Sequence, residues 1–568
     1  MSRHRRWPGS WRGAGLVVLF LIGLVGMVLG RGGTGAAAGP AGHLVLVPID
    51  DRPAVGQFAQ MIGAVADYDV EMPPQEMLGN FTTPGRPEAI ADWLLSPATG
   101  DRPTPSALLV SVDMIAYGGL VASRTHAVPV DEARRRLDLF GRLRKRYPGV
   151  PIYAFSVIMR VAPTASRTTA AIHDGLARWA ELKDRAPKTG DAALTAELEA
   201  LTRQLGPAVL ADYLAARQRN LEINLDALAL RQAGVIDELI LLQDDARTYG
   251  LHRQDQAVLR ARLAKLGLER SVPIYNGTDE GSLSLVSRAI LARERRTIRV
   301  AVVYSSEKSR EVIAPYEDHP LHFTVENQVQ ASGATLVPAG GRADYRLYIH
   351  APATTPAEYE RFEKRLIAEL KAGRAVGLAD LLFPAPHYSG ADERLVRALV
   401  EAGVVDRLTG YAAWNTAGNT LGTAIPHANL RRLAVGAGAS SPLRRAEAEV
   451  AHLEFLLNRF AGDYLYHDLV RPVVNQRLRE AAAQESFTLS ELTPERRAWA
   501  QRSVAEDLKP RMDAFFRAHF LGRRYPIDRG RQLAVTGLRD VKVTLPWART
   551  FECRIDGWIE SRVEERRR

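Results

Sequence analysis

The chain has 568 residues, 46% of them hydrophobic and 25% charged, and carries a net charge of +10. This length exceeds one ordinary domain and this composition is that of a globular protein, which excludes wholesale disorder, collagen and coiled-coil rods. The single cysteine, Cys553, excludes an internal disulfide and a cysteine zinc site, while Arg3, Arg5, Arg6, Arg12 and Arg31 supply half of the positive excess before any acid appears.

In chain order, residues 1–12 are basic, residues 13–30 are uncharged and apolar, and residues 31–42 are small and Gly/Ala-rich. That is the layout of a secretory signal, and the same apolar run is long enough to act as an uncleaved membrane anchor. Either outcome places the body of the chain outside the cytoplasm, secreted or anchored, with membrane contact only through this segment. Charges in that body alternate in sign and form no basic stripe with interleaved aromatics, so no nucleic-acid partner is expected.

From residue 43, short branched-apolar runs alternate with longer amphipathic segments. Strands are predicted at 43–49, 107–112, 151–158, 237–243, 272–276, 299–304, 345–350, 374–379 and 409–413. Runs apolar on both faces are those of a parallel sheet covered by crossover helices, so the fold class is α/β. Residues 43–295 are read as a first lobe with a helical insertion at about 165–234, and 296–440 as a second lobe. Residues 441–568 are read as a C-terminal α+β unit, helical at 443–461 and 492–520 and antiparallel at 533–558. A single distorted β/α barrel is the alternative.

Ligands of parallel sheets bind beyond the carboxyl ends of the strands, so the polar residues found there are the candidates. Asp50, Asp51 and Arg52 follow the first strand, Asp113 the second, Arg160 the third, Asp244, Asp245 and Arg247 the fourth, and Asp279 and Glu280 the fifth. His350, Asp380, Trp414 and Asn415 follow later strands. Converging carboxylates serve as acid/base pairs or hard-cation ligands. The local alternative is helix capping, open to Asp51, Asp245 and Asn415. Arg52, Arg124, Arg160 and Arg247 are suited to orienting a hydroxyl-rich or anionic ligand or to pairing with the carboxylates. The Trp414, Asn415 and Asn419 junction combines an aromatic face with amides and suits a sugar-like ligand. His350 and His427 are weaker candidates for a base.

There is no Walker A sequence, GxGxxG after a strand, HExxH, GxSxG or kinase set, so no nucleotide cofactor is expected. If a metal is used, the oxygen-only supply from Asp50, Asp51, Asp113, Asp244 and Asp245 fits Mg²⁺, Ca²⁺ or Mn²⁺. The leading expectation is an extracytoplasmic hydrolase of a carbohydrate or glycan-derived substrate, with Asp50, Asp113 and Asp244 supplying acid and base or nucleophile. The other expectation is a non-catalytic envelope protein that binds a polyol or glycan between the lobes. Under either, Trp414 and Asn415 should face Asp113 and Asp244 across an open gap.

The segments VPIDDRP (47–53), SVDMIAYGGLVASR (111–124), QDDAR (243–247), GTDEGSLSLVSRA (277–289), YEDHPL (316–321), GYAAWNTAGNTLGTA (410–424) and LPWARTFEC (545–553) resemble the markers of the bacterial family DUF4127. The resemblance runs from residue 43 to near the C-terminus. It implies a full-length family member, carries no catalytic assignment, and points to the positions already selected, adding Tyr117.

Overall fold

The computed structural model describes residues 40–96, 103–164, 166, 169, 171–383, 390–436, 441–481 and 492–566. The expected signal or anchor therefore lies, apart from its last three residues, outside the described part. Among the described residues, no helix is long and apolar enough to cross a membrane.

Two open parallel sheets form the body. The first comprises β1 (Gly42–Val47), β2 (Tyr68–Glu71), β3 (Ala107–Ser111), β4 (Ile152–Ile158), β5 (Glu238–Gln243) and β6 (Ile274–Asn276), in the order β2-β1-β3-β4-β5-β6. The second comprises β7 (Arg299–Tyr304), β8 (Thr335–Val337), β9 (Tyr345–His350), β10 (Val376–Asp380) and β11 (Gly410–Ala412), in the order β11-β10-β9-β7-β8. Each sheet thus begins with the same doubly wound sequence of strands, second-first-third-fourth-fifth, although the chain shows no internal sequence repeat. Neither sheet closes, which overturns the barrel alternative. A third sheet is antiparallel and built from β12 (Arg524–Pro526), β13 (Arg531–Thr544) and β14 (Arg554–Glu565).

Side chains alternate across each strand, and here both faces are apolar. In β1, Leu44 and Leu46 enter one core while Val45 and Val47 enter another. The first of these cores also receives Val300, Leu347 and Ile349 from the second sheet. A layer of four helices, Gln57–Val65, Gly281–Arg293, Leu321–Ala331 and Ala417–Gly436, fills the space between the sheets and is shared by both. The charged segment near residue 295 therefore marks a change of sheet without a break in the core. The far face of the second sheet packs Tyr348, Leu378 and Tyr411 against the C-terminal helices and β13, in one further continuous core.

The long connection from β4 to β5 is helical, formed by His173–Thr189 and Ala192–Gln232. The second of these helices breaks at Gly206, which adopts φ of 77°, just before Pro207. Strands β2, β8 and β12 lie at sheet edges and are partly exposed, so they lack the continuous apolar runs of the buried strands and were not anticipated from the sequence.

Candidate functional site

The carboxyl ends of both sheets open onto one cleft of about 310 Å³. The turns after β4, β5 and β6 contribute Arg160, Thr164, Asp244, Asp245, Arg247, Thr278 and Asp279. The loop after β7 contributes Tyr316 and Glu317, and the turn after β11 contributes Asn415, Thr416 and Asn419. The loop joining β13 to β14 closes one side with Trp547, Arg549 and Phe551.

Most charges in the cleft are already paired. Arg52 donates from Nε and Nη2 to Asp50 at 3.0 and 2.7 Å, and from Nη1 and Nη2 to Asp279 at 2.9 and 2.6 Å. Its guanidinium carbon lies 4.8 Å from the centre of the Trp547 ring. Burial pushes the Asp279 carboxyl up to about 6 even against this partner. Arg124 donates from Nη2 and Nε to Asp244 Oδ2 at 2.5 and 3.0 Å, and from Nη1 to the Thr164 hydroxyl at 2.9 Å. Burial works to raise the Asp244 carboxyl, but Arg124 and Arg160 outweigh it and hold the group below its ordinary value. Arg160 donates to Asp245 Oδ2 at 2.6 Å. The second oxygen of Asp244, Oδ1, accepts the Asp245 amide at 3.0 Å and a weak contact from the Thr278 hydroxyl at 3.5 Å.

Glu317 is different. It lines the cleft, is buried, and among the described residues pairs with no arginine: Oε1 accepts the Gly418 amide at 2.8 Å and Oε2 accepts the Thr324 hydroxyl at 2.5 Å. Burial, with Asp318 and Glu280 nearby, pushes this carboxyl up to about 8. The loop bearing it is stitched to the first sheet's side by the Ala246 amide, which donates to the Tyr316 carbonyl at 2.7 Å. Arg253 and Gln256 add a second tie, each donating to Asp318 at 2.9 Å.

Below the cleft floor, Glu280 accepts the Thr278 amide at 3.0 Å, Asn419 Nδ2 at 3.0 Å and Gln328 Nε2 at 2.8 Å, and burial pushes it up to about 7. The glycines of its surroundings make room for it. Gly277 has φ of 137°, and a Cβ there would lie 1.5 Å from Glu280 Oε1, while a Cβ at Gly422 would lie 2.1 Å from Glu280 Cγ.

The structure brings Arg52, Arg124, Arg160, Asp244, Asp245, Arg247, Asp279, Asn415 and Asn419 together along the cleft. Asp50 stands behind Arg52 rather than on the wall, and Asp113 is sealed beneath, accepting the Val157 amide at 2.8 Å with its carboxyl pushed up to about 7 by burial. Of the three aspartates expected to share the chemistry, only Asp244 lines the cleft. Tyr117 is buried under the Arg219 guanidinium, 4.1 Å from its ring, and faces a separate groove. Trp414 does not face the gap: it packs edge-on against Phe58 in the layer between the sheets and donates to the Thr423 hydroxyl at 3.2 Å. The capping alternative is displaced at Asp51 and Asp245. Asp51 instead accepts Trp547 Nε1 at 2.6 Å and Asn80 Nδ2 at 2.9 Å, and is pushed up to about 6 by burial. His350 is buried against Asp380 at 3.1 Å, and His427 lies 2.9 Å from His452 in the core. Among the described residues, no three His, Cys, Asp or Glu side chains are arranged to hold a metal ion. The five aspartates proposed as ligands are directed to different partners.

Sequence reasoning missed Glu317, Tyr316, Trp547, Arg549 and Phe551, all cleft residues. None directly follows a strand, so the strand-end rule could not select them, yet all five lie in the segments YEDHPL and LPWARTFEC, two of the family markers. No curated protein and no solved structure matches this chain. Residues 44–556 match the family described as protein of unknown function (DUF4127), and since that match spans nearly the whole sequence, the chain belongs to this family.

Proposed function

We propose that this protein is an extracytoplasmic hydrolase of a neutral, hydroxyl-rich substrate such as a glycan-derived compound. The observation that carries the reading is a pair of carboxyl groups on one cleft in opposite surroundings. Glu317 is buried among neutral donors, which pushes its carboxyl up to about 8, whereas Arg124 and Arg160 hold Asp244 below its ordinary value. Two titratable groups whose surroundings push their pKa values apart are the pattern of a general acid and a base or nucleophile. In the forward step Glu317 gives its proton to the leaving-group oxygen as the glycosidic C–O bond breaks. Asp244 takes a proton from the attacking water, whose oxygen bonds to the anomeric carbon. Arg–Asp pairs along the walls nearly cancel one another's charge while still offering donors and acceptors, which suits hydroxyl groups better than a net charge.

The test is turnover of a panel of glycosides and cell-wall fragments by wild type, Glu317→Gln and Asp244→Asn. Loss of about 100-fold or more in each variant is expected, and unchanged turnover in both removes the proposal. A second reading, binding without turnover, is favoured by one observation: Asp244, Asp245 and Asp279 each already engage an arginine. It predicts saturable binding of panel members with no product formed by any variant.

A further inference from the structure

Tyr316 adopts φ of 67°, a conformation that is strained for a bulky side chain. The residue is nevertheless held there, because its carbonyl accepts the Ala246 amide from across the cleft at 2.7 Å. Its side chain is not absorbed by a core: the residue is 51% exposed while lining the cleft. The phenol is raised above its ordinary value by partial burial and by Asp245, with Arg160 and Arg247 opposing the shift. An exposed aromatic side chain on an anchored backbone thus lines the same cleft as Asp245, Arg160 and Asn415. The tryptophan expected to supply an aromatic face, Trp414, is buried in the core instead.

We infer that Tyr316 is the platform on which the ligand's ring packs, so that the unit the cleft selects is a pyranose ring and not an open-chain polyol. A pyranose presents C–H groups on one face and hydroxyls around its edge. The C–H face matches the tyrosine ring and the edge matches the Asp245–Arg160 and Asn415 side. An open-chain alditol offers the same hydroxyls without a rigid apolar face, and loses more conformational freedom on binding. This inference rests on the hydroxyl-rich substrate proposed above.

The experiment titrates methyl pyranosides (gluco, galacto, manno and N-acetylglucosaminide) and the corresponding alditols into wild type, Tyr316→Phe and Tyr316→Gly, followed by saturation-transfer NMR. Glycine accepts positive φ without strain, so Tyr316→Gly removes the ring while relaxing the backbone, and an unlowered melting temperature verifies its fold. Tyr316→Asn, which also tolerates this conformation, is the second ring-less variant. At least one pyranoside should bind wild type about tenfold more tightly than its alditol, with Tyr316→Phe retaining that preference and both ring-less variants losing it. Pyranosides and alditols binding alike, or a preference that survives in Tyr316→Gly, overturns the inference and leaves the hydroxyl-rich reading standing. Binding of neither class to wild type overturns both.

Discussion

Glu317→Gln separates the protonation of the cleft acid from everything else in its surroundings. Glutamine keeps the geometry: its oxygen can accept the Gly418 amide and its amide can donate to the Thr324 hydroxyl, the two contacts the carboxyl now makes. In the unfolded chain a glutamate titrates near its ordinary value of about 4.3, whereas in the folded protein this one is pushed up to about 8 by burial. Between those values the unfolded state binds fewer protons than the folded state, so folding stability falls as pH rises, by about 1.4 kcal/mol per pH unit. From pH 5 to pH 7 the wild type should therefore lose about 2.7 kcal/mol through this one group, and Glu317→Gln should not. Denaturant unfolding of both proteins at the two pH values measures the difference directly. Glu317→Gln should gain roughly 2–3 kcal/mol on wild type between pH 5 and pH 7. A stability difference that does not change with pH would refute the reasoning, because it would mean that the carboxyl is already ionised in the folded cleft.

On the proposed mechanism, turnover should fall as pH rises through about 8, where Glu317 loses its proton. Arg124→Gln should move the acidic limb upward, since Asp244 then loses a partner that holds it ionised, and an unmoved limb in the pH profile would exclude Asp244 as the base. Arg52→Met should cost roughly 3–5 kcal/mol in denaturant unfolding at pH 7, because Asp50 and Asp279 are left buried without their cation, and a loss under about 1 kcal/mol would contradict the hub role. Trp547→Phe should cost about 1–3 kcal/mol by leaving an Asp51 oxygen unsatisfied; a double-mutant cycle with Asp51→Asn checks that the loss belongs to this pair. Asp113→Asn retains an oxygen for the Val157 amide, so it should leave turnover within about threefold of wild type where Asp244→Asn does not.

The α/β class, most strand positions and the cluster Asp244, Asp245, Arg160 and Asp279 are legible in the order of residues. These follow from local rules: a strand buried on both faces must be apolar along its length, and a parallel sheet gathers whatever polar residues end its strands. Which strand-end residues reach the cleft depends on long-range packing. Asp113 and Asp244 each stand at the end of a strand, yet one is sealed under β4 by the Val157 amide and the other meets Arg124 at the cleft wall. Trp414 and Trp547 are both buried but against different partners: Phe58 packs on the first, in the layer between the sheets, and Arg52 and Arg549 on the second, at the cleft wall. Asp51 and Trp547 are 496 residues apart in the chain and hydrogen-bonded in space. The protonation of Glu317 likewise depends on Gly418, Thr324 and Glu280, carried by separate elements. A pKa is a property of the surrounding dielectric and charges, and those exist only once the second sheet and the C-terminal hairpin have closed over the ends of the first.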